Sequence, residues 1–382
     1  MPRRPQAKAS TTKAPSVVII GGGVMGCAAA HELSRRGVQV TVLERAVPGA
    51  EASSAAAGIL GAQVESHHPG PMTDLSLLSS KLYPALVKDL EQVSGVSIGY
   101  RRSGVLKVAY TPSDVTRLQR DVAWQGRAKL PLAKLSRAAM LAREPALTKE
   151  LAGGLWFEAD ATLDPRALLS ALRIAAEKRG AVFRSGSFVK RVAEQGGRAV
   201  GVELEDGSLV PGSHVVLAAG SWTSLLTSSE SKTPRVVPAR GQIVELKTSA
   251  PLLQSIVFGP GCYLVPRADG RLLIGSTLEF VGFRREVTAG AVAKLLGAAI
   301  RLVPALAEAE LNATWSSFRP YTADELPLLG PSATTPGLIL MSGHYRNGIL
   351  LAPISAQIVA RSVLGEKPPL DLSPFSPSRD AQ

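Results

Sequence analysis

The chain opens its first ordered pattern at Val17–Ile20, a short run of β-branched residues that ends in glycines. Such a run reads as a strand buried on both faces of a parallel sheet. Gly26–Arg36 is Ala-rich, with Leu33 on its apolar side and Gly37 behind it, and reads as a helix with a glycine stop. Val38–Leu43 is a second buried run. Strand, helix and strand together take up roughly 30 residues, the length of one βαβ unit. Beyond it, Leu75–Val93 has helical periodicity, and Val96–Tyr110 reads as two strands around Ser103-Gly104. Pro112–Trp124 and Leu135–Arg143 read as helices, the second stopped ahead of Pro145. Gly153–Phe157 reads as a strand. Asp164 and Pro165 give a cap and a first-turn proline for a helix reaching Arg179.

A β-rich stretch follows, with strands at Ala181–Arg184, Ser187–Ala193, Ala199–Glu205, Ser208–Pro211 and Ser213–Ala218. Asp206-Gly207 marks a tight hairpin turn inside it. Gly220–Leu226 reads as a short helix, and Val236–Leu246, Cys262–Arg267 and Arg271–Ser276 as strands. Ala289–Leu302 reads as a helix, Ala313–Arg319 and Leu338–Met341 as strands, and Gly348–Leu364 as the closing helix. The residues after Lys367 are rich in Pro and Ser and are expected to fray.

Composition narrows this picture. At roughly 100–200 residues per domain, 382 residues imply two domains. The chain is rich in Gly (36) and Pro (27) and poor in aromatics (5%), which favours a turn-rich α/β fold over a helical bundle. Lys and Arg (43) exceed Asp and Glu (31), for a net charge of +12. The basic residues come as scattered pairs, Arg35-Arg36, Arg101-Arg102 and Arg284-Arg285, rather than as a patch interleaved with aromatics. No nucleic-acid partner is expected on that ground; the positive field would instead steer a carboxylate. Cys27 and Cys262 offer neither a disulfide framework nor zinc spacing, and the adjacent His67-His68 do not make a metal site. No run reaches 18 uninterrupted apolar residues, so no membrane span is expected. Met1–Ala14 is basic and polar without an apolar core of its own, and is expected to be a disordered tail. A cytoplasmic location is expected.

Chemistry enters at Gly21-Gly22-Gly23-Val24-Met25-Gly26, a G-x-G-x-x-G run placed between strand and helix. Gly21 permits the tight turn, Gly23 lets backbone approach a pyrophosphate, and Gly26 lets helix and strand pack closely. The helix N-terminus points free N–H groups at the phosphates. Glu44 ends the second strand about 20 residues on, where a carboxylate can accept from a ribose diol. The motif alone does not separate FAD from NAD. Two later features favour FAD. Ala52-Ser53-Ser54-Ala55-Ala56-Ala57-Gly58-Ile59 lets small residues lie against a flat cofactor. Val215-Val216-Leu217-Ala218-Ala219-Gly220 adds a buried strand and glycine turn after a β-meander.

From Ser16 to Leu364 the chain resembles the D-amino-acid oxidase-like flavoproteins, and within them the glycine oxidases of thiamine biosynthesis. The segments that carry the resemblance are Ser54–Gly58, Tyr263-Leu264-Val265-Pro266-Arg267, Phe318-Arg319-Pro320 and the long run Gly343–Pro353. It implies an α/β fold: a Rossmann-type FAD-binding domain with a second α+β substrate domain built on an antiparallel sheet. The FAD domain would be discontinuous, from residues 15–94, 151–235 and 316–368, with residues 95–150 and 236–315 forming the substrate domain. Besides Gly21, Gly23 and Gly26, residues Val24, Met25, Glu44, Arg45, Ala52, Ser53, Ala57, Gly58 and Ile59 would hold FAD. Val189 would meet the adenine side, and His344, Tyr345, Arg346, Asn347, Gly348, Ile349 and Leu350 would wrap the flavin ring.

A substrate carboxylate calls for a planar, permanent cation. Taken alone, Arg319 reads either as a structural salt bridge or as such an anchor; the resemblance makes it the anchor. Tyr263 would add a phenol hydrogen bond, and Arg346 would contact substrate or gate the entrance. Gly261 stands where the glycine oxidases carry a His, and Ile59 where they carry a Met. No Cys follows Cys262, so the tether of the sarcosine oxidase branch has no counterpart and FAD is expected to be non-covalent. The resemblance implies oxidation of glycine, and of other small amines such as sarcosine or D-alanine, by molecular oxygen to an imine and hydrogen peroxide. It also implies a homo-oligomer, a tetramer. A sibling oxidase or dehydrogenase, or a non-catalytic flavoprotein subunit, are the competing functions. No side-chain base is demanded if the amine arrives neutral.

Overall fold

The computed structural model describes residues 15–227 and 233–380, so the expected tail at Met1–Ala14 lies outside the described residues. A six-stranded sheet has the order Leu328–Pro331, Leu338–Ser342, His214–Leu217, Ser16–Ile20, Gln39–Leu43, Val182–Arg184. All neighbours are parallel except the first pair. The central strand is buried on both faces, as its β-branched run requires. Val17 and Ile19 pack among the helices Val24–Arg35, Pro165–Lys178 and Gly348–Leu364. Val18 and Ile20 pack against a three-stranded meander, Val189–Gln195, Arg198–Leu204 and Leu209–Pro211.

Tyr345–Leu364 is long and apolar enough to cross a membrane by composition alone, yet it is mostly buried. It contacts the helices Val24–Arg35 and Pro71–Ser94. Pro353 inside it has no N–H to give to the carbonyl of Ile349. The buried Tyr83 hydroxyl donates to that carbonyl instead, and Ser79 Oγ donates to Leu350 O at 2.6 Å. The neighbouring helix thereby satisfies the backbone that the proline leaves open.

An eight-stranded sheet lies against this unit. Its order is Glu310–Tyr321, Val237–Lys247, Arg271–Gly275, Cys262–Pro266, Ile256–Gly259, Val105–Ala109, Gly153–Phe157, Ala133–Ser136. Its pleat sorts side chains by face. Cys262 and Leu264 pack with the helix Ala289–Leu302, while Tyr263 and Val265 turn to the opposite face with Ala57 and Ile59. That alternation puts Tyr263 on the side of the nucleotide unit.

Several expectations need correction. Val96–Tyr110 contains one strand, Val105–Ala109, because Arg101 makes only an isolated bridge to Thr162. Pro112–Trp124 is two helices, Pro112–Asp121 and Ala123–Arg127, and Leu135 belongs to a strand that Ser136 ends by capping the helix Arg137–Arg143. Strands at Ile256–Gly259 and Leu328–Pro331 carried no clear periodicity. The C-terminal segment is tied down: Phe375 is fully buried and Arg379 donates to Asp324 Oδ2 at 2.7 Å. Burial of one aromatic outweighs a Pro- and Ser-rich composition there. Gly153–Phe157 and the whole of Glu310–Tyr321 pair in the eight-stranded sheet. We therefore move both strands from the FAD segments into the second domain of the expected division.

Candidate active site

A cavity of about 1130 Å³ opens between the C-terminal ends of the parallel strands and the inner face of the second sheet. Its nucleotide end is built by the turn after Ser16–Ile20. Gly21 has φ +105°, and a Cβ there would lie 2.5 Å from Ala218 O. Only glycine holds that conformation without strain. The helix Val24–Arg35 has no side-chain cap of its own, because its N-cap is Gly23. Ser53 Oγ, arriving from another segment, accepts from Val24 N–H at 2.8 Å. Glu44 is held at its strand end by Gly22 N–H on Oε2 (2.7 Å) and Ala46 N–H on Oε1 (2.9 Å). Arg45 stacks 3.8 Å over the Trp222 ring and pairs with Glu51 at 2.7 Å. Farther in, Gly58 has φ +77°, and Arg267 donates to Ala57 O (2.7 Å) and Leu163 O (3.1 Å). These bonds pin the small-residue segment against the strand Ala161–Thr162.

Of the residues expected to hold the cofactor, Gly21, Gly23, Val24, Met25, Glu44, Arg45, Ala52, Ser53, Ala57, Gly58, Ile59 and Val189 line the cavity, as do His344–Ile349. Gly26 and Leu350 do not; they stand behind it. Gly26 packs on the turn, where a Cβ would fall 1.9 Å from Gly21 O, and Leu350 is core. His344 is buried, which pushes its pKa down to about 3, so it is neutral. Its Nε2 is 3.0 Å from Ser355 Oγ, while its Nδ1 has no partner. Ser317 Oγ is likewise buried and unpartnered beside the cavity. A glycine cradle at a helix N-terminus, a fixed ribose-side carboxylate and two orphaned polar atoms fit an elongated dinucleotide such as FAD.

At the other end stand Tyr263, Arg319 and Arg346. Arg319 donates to Thr277 O at 3.2 Å and to Ser276 Oγ, and among the described residues it has no acidic partner. The salt-bridge reading of this arginine is therefore set aside. Burial raises the Tyr263 pKa, with Arg319 and a hydrogen bond from Ser276 acting the other way, so the phenol stays protonated and able to donate. Two strand glycines make room for this pair. A Cβ on Gly241 would lie 2.3 Å from Arg319 Nη1, and one on Gly275 would lie 2.3 Å from the Tyr263 hydroxyl. Neither was singled out from the sequence, although a glycine inside a strand pattern is the signal for such a close approach. Gly241→Ala is expected to raise KM for an amino-acid substrate by about tenfold with the protein still yellow, since overpacking costs roughly 1–3 kcal/mol. Steady-state kinetics beside the flavin absorbance spectrum checks it.

Glu65 and Lys107 also line this end, and no pattern in the sequence marked them. Burial lowers the Lys107 pKa against the pull of Glu65 and Asp121. Gly261, the position of the missing His, sits in a turn with φ +90° and does not line the cavity; a Cβ there would meet Ala298 at 3.4 Å.

A family model described as FAD dependent oxidoreductase matches residues 16–362. The glycine oxidase of Geobacillus kaustophilus is 38% identical over 95% of this chain and 96% of its own length. The crystal structure of glycine oxidase from that organism superposes with a TM-score of 0.91 at 37% identity, covering 96% of this chain and 99% of that one. The bifunctional protein ThiO/ThiG of Synechocystis is 40% identical over 95% of this chain, which spans 54% of that longer protein. Glycine cradle, cavity and sequence agree: the chain belongs to the FAD dependent oxidoreductase family, and FAD is its cofactor.

Proposed function

We propose that this enzyme is a glycine oxidase, converting glycine and molecular oxygen to the imine and hydrogen peroxide. The observation that carries the reading is Arg319, a guanidinium without an acidic partner among the described residues, held beside Tyr263 in the wall of the cavity. A bidentate guanidinium and a phenol together bind a small carboxylate in one orientation. Phe258, Ile243 and Ile59 line the same cavity and give it apolar wall beside these polar groups. FAD, when bound, supplies the two-electron acceptor. The chain's part is positioning: Arg319 and Tyr263 fix the carboxylate, and Cα is thereby aimed along the cavity.

FAD binding is non-covalent in this reading. Cys27 is buried in the helix Val24–Arg35, Cys262 points to the far face of its sheet, and burial pushes both thiols up to about 12. By its resemblance to the glycine oxidases of thiamine biosynthesis we place the enzyme in that pathway, and a bifunctional ThiO/ThiG protein stands among its relatives. By family resemblance we place the enzyme in the cytoplasm as a homo-tetramer.

Peroxide release by the purified yellow protein with glycine, sarcosine, D-alanine and D-proline, with and without oxygen, tests this. Glycine is expected to give the fastest peroxide. Bleaching of the flavin by another amine alone, or bleaching with no peroxide on re-aeration, would move the function to a sibling oxidase or a dehydrogenase.

A further inference from the structure

Glu65 enters the substrate end of the cavity from the segment after the strand Ile59–Leu60. That segment is bracketed on both sides of residue 65. Asp160, itself buried, accepts from Gln63 N–H at 2.9 Å and Val64 N–H at 2.8 Å. Gln125, also buried, donates to Gln63 O at 2.9 Å and Ser66 O at 3.0 Å. Glu65 N–H donates to Gly61 O at 3.3 Å. The backbone is fixed, but the Glu65 carboxyl makes no hydrogen bond and no ion pair among the described residues. Its surroundings are charged: Arg346 from the C-terminal segment, Arg319 from Glu310–Tyr321 and Lys107 from Val105–Ala109 all favour its ionised form. Tyr263 and Asp160 face it as well. A free carboxyl thus lines the same cavity as the carboxylate anchor.

An amino acid reaches this pocket as an ammonium carboxylate. Its nitrogen has no lone pair to assist loss of hydride from Cα until one N–H bond breaks. We propose that Glu65 takes that proton. The step balances within the complex: the N–H electron pair stays on nitrogen, the proton bonds to a Glu65 carboxyl oxygen, and a neutral amine faces a neutral acid. The proton then passes to water through the open cavity. The inference rests on the amino-acid reading of the site and extends it, since Arg319 and Tyr263 account for the carboxylate end and leave the nitrogen end without a group. Burial outweighs the three cations and raises the Glu65 pKa, which brings the carboxylate closer to the pH at which a base works well.

The sign follows. Glu65 accepts a proton only when ionised, so kcat/KM falls as pH drops through its raised pKa. Asp160, raised to about 7 by burial, titrates in the same window, so a pH profile of the wild type alone does not assign the limb. The test uses FAD-loaded full-length protein, wild type, Glu65→Gln and Glu65→Asp. Acetate, a carboxylate without an amine, is the probe of the anchor, read from the flavin absorbance. Glu65→Gln is expected to bind acetate at least as tightly as the wild type, because it removes a negative charge that interacts with Arg319. Its kcat/KM with the amino acid should fall by about 10²–10⁴ near neutral pH, the usual contribution of a positioned acid or base. Its acid limb should give way to a steady rise with pH, because only substrate arriving as free amine reacts. Glu65→Asp should keep a limb, shifted to lower pH, and recover part of the rate. A Glu65→Gln enzyme with the wild-type limb overturns the proposal, as does a Glu65→Asp limb that does not move. Loss of acetate binding or of wild-type turnover with every amino acid strikes the functional reading instead.

Discussion

Arg319→Ala is expected to raise KM for glycine by about 10²–10³ while the protein stays yellow. Each hydrogen bond to a charged group contributes roughly 1.5–3 kcal/mol, and a bidentate pair loses two of them, about 3–4 kcal/mol where the Tyr263 phenol still holds the carboxylate. Every 1.4 kcal/mol is about tenfold in affinity, which sets the range. The variant leaves the nucleotide cradle untouched, because among the described residues Arg319 bonds only Thr277 O and Ser276 Oγ and packs over Gly241. Arg319→Lys should recover only part of the loss, since an ammonium offers a point charge where a fork is needed. Acetate affinity, read from the flavin spectrum, should fall alongside. Near-normal kinetics in Arg319→Ala would remove the carboxylate anchor from this side chain and with it the main support for the amino-acid reading.

Gly26→Ala is expected to weaken FAD binding by about 100-fold or more, giving a protein that purifies nearly colourless. Its added methyl would fall 1.9 Å from Gly21 O. That carbonyl cannot retreat easily, because Gly21 N–H is bonded to Leu43 O at 2.8 Å and ties the turn to the neighbouring strand. Relief requires the helix Val24–Arg35 to move off the sheet, which pulls its N-terminus from the cradle and breaks the Ser53 cap. Overpacking of this kind costs roughly 1–3 kcal/mol and more where backbone meets backbone. Gly290→Ala is the control: it sits in the helix Ala289–Leu302 with nothing within 4 Å of an added Cβ. Titrating apo-protein with FAD and following flavin fluorescence compares the two. Wild-type affinity in Gly26→Ala would show that the turn has slack that its packing distances deny.

The nucleotide half was legible because its chemistry is local. Strand, glycine turn, helix and acid follow one another within Ser16–Glu44, and Gly26 has a steric reason in Gly21 O and Ile19, which stand beside it in sequence. Even there, tertiary contacts added what local pattern omits. Ser53 caps a helix 29 positions away in sequence, and Tyr83 satisfies the carbonyl that Pro353 leaves free. Strands at Ile256–Gly259 and Leu328–Pro331 also escaped notice, and it is pairing with their neighbours in the sheets that defines them.

The substrate half depended on register. Arg319 and Tyr263 were found because they sit in family-like segments, yet what makes them usable lies on other strands. Gly275 is the direct cross-strand partner of Tyr263, and Gly241 lies diagonally across from Arg319. Asp160 reaches back 96 positions to fix the turn that carries Glu65. A one-residue slip in any of these strands would turn the side chain to the opposite face, and no local pattern forbids such a slip. The sequence by itself therefore determined the cofactor cradle, through contiguous backbone constraints. The tertiary structure alone decided which carboxyl, which cations and which bare glycines share one cavity, because side chains from distant strands meet only when the sheet register is set.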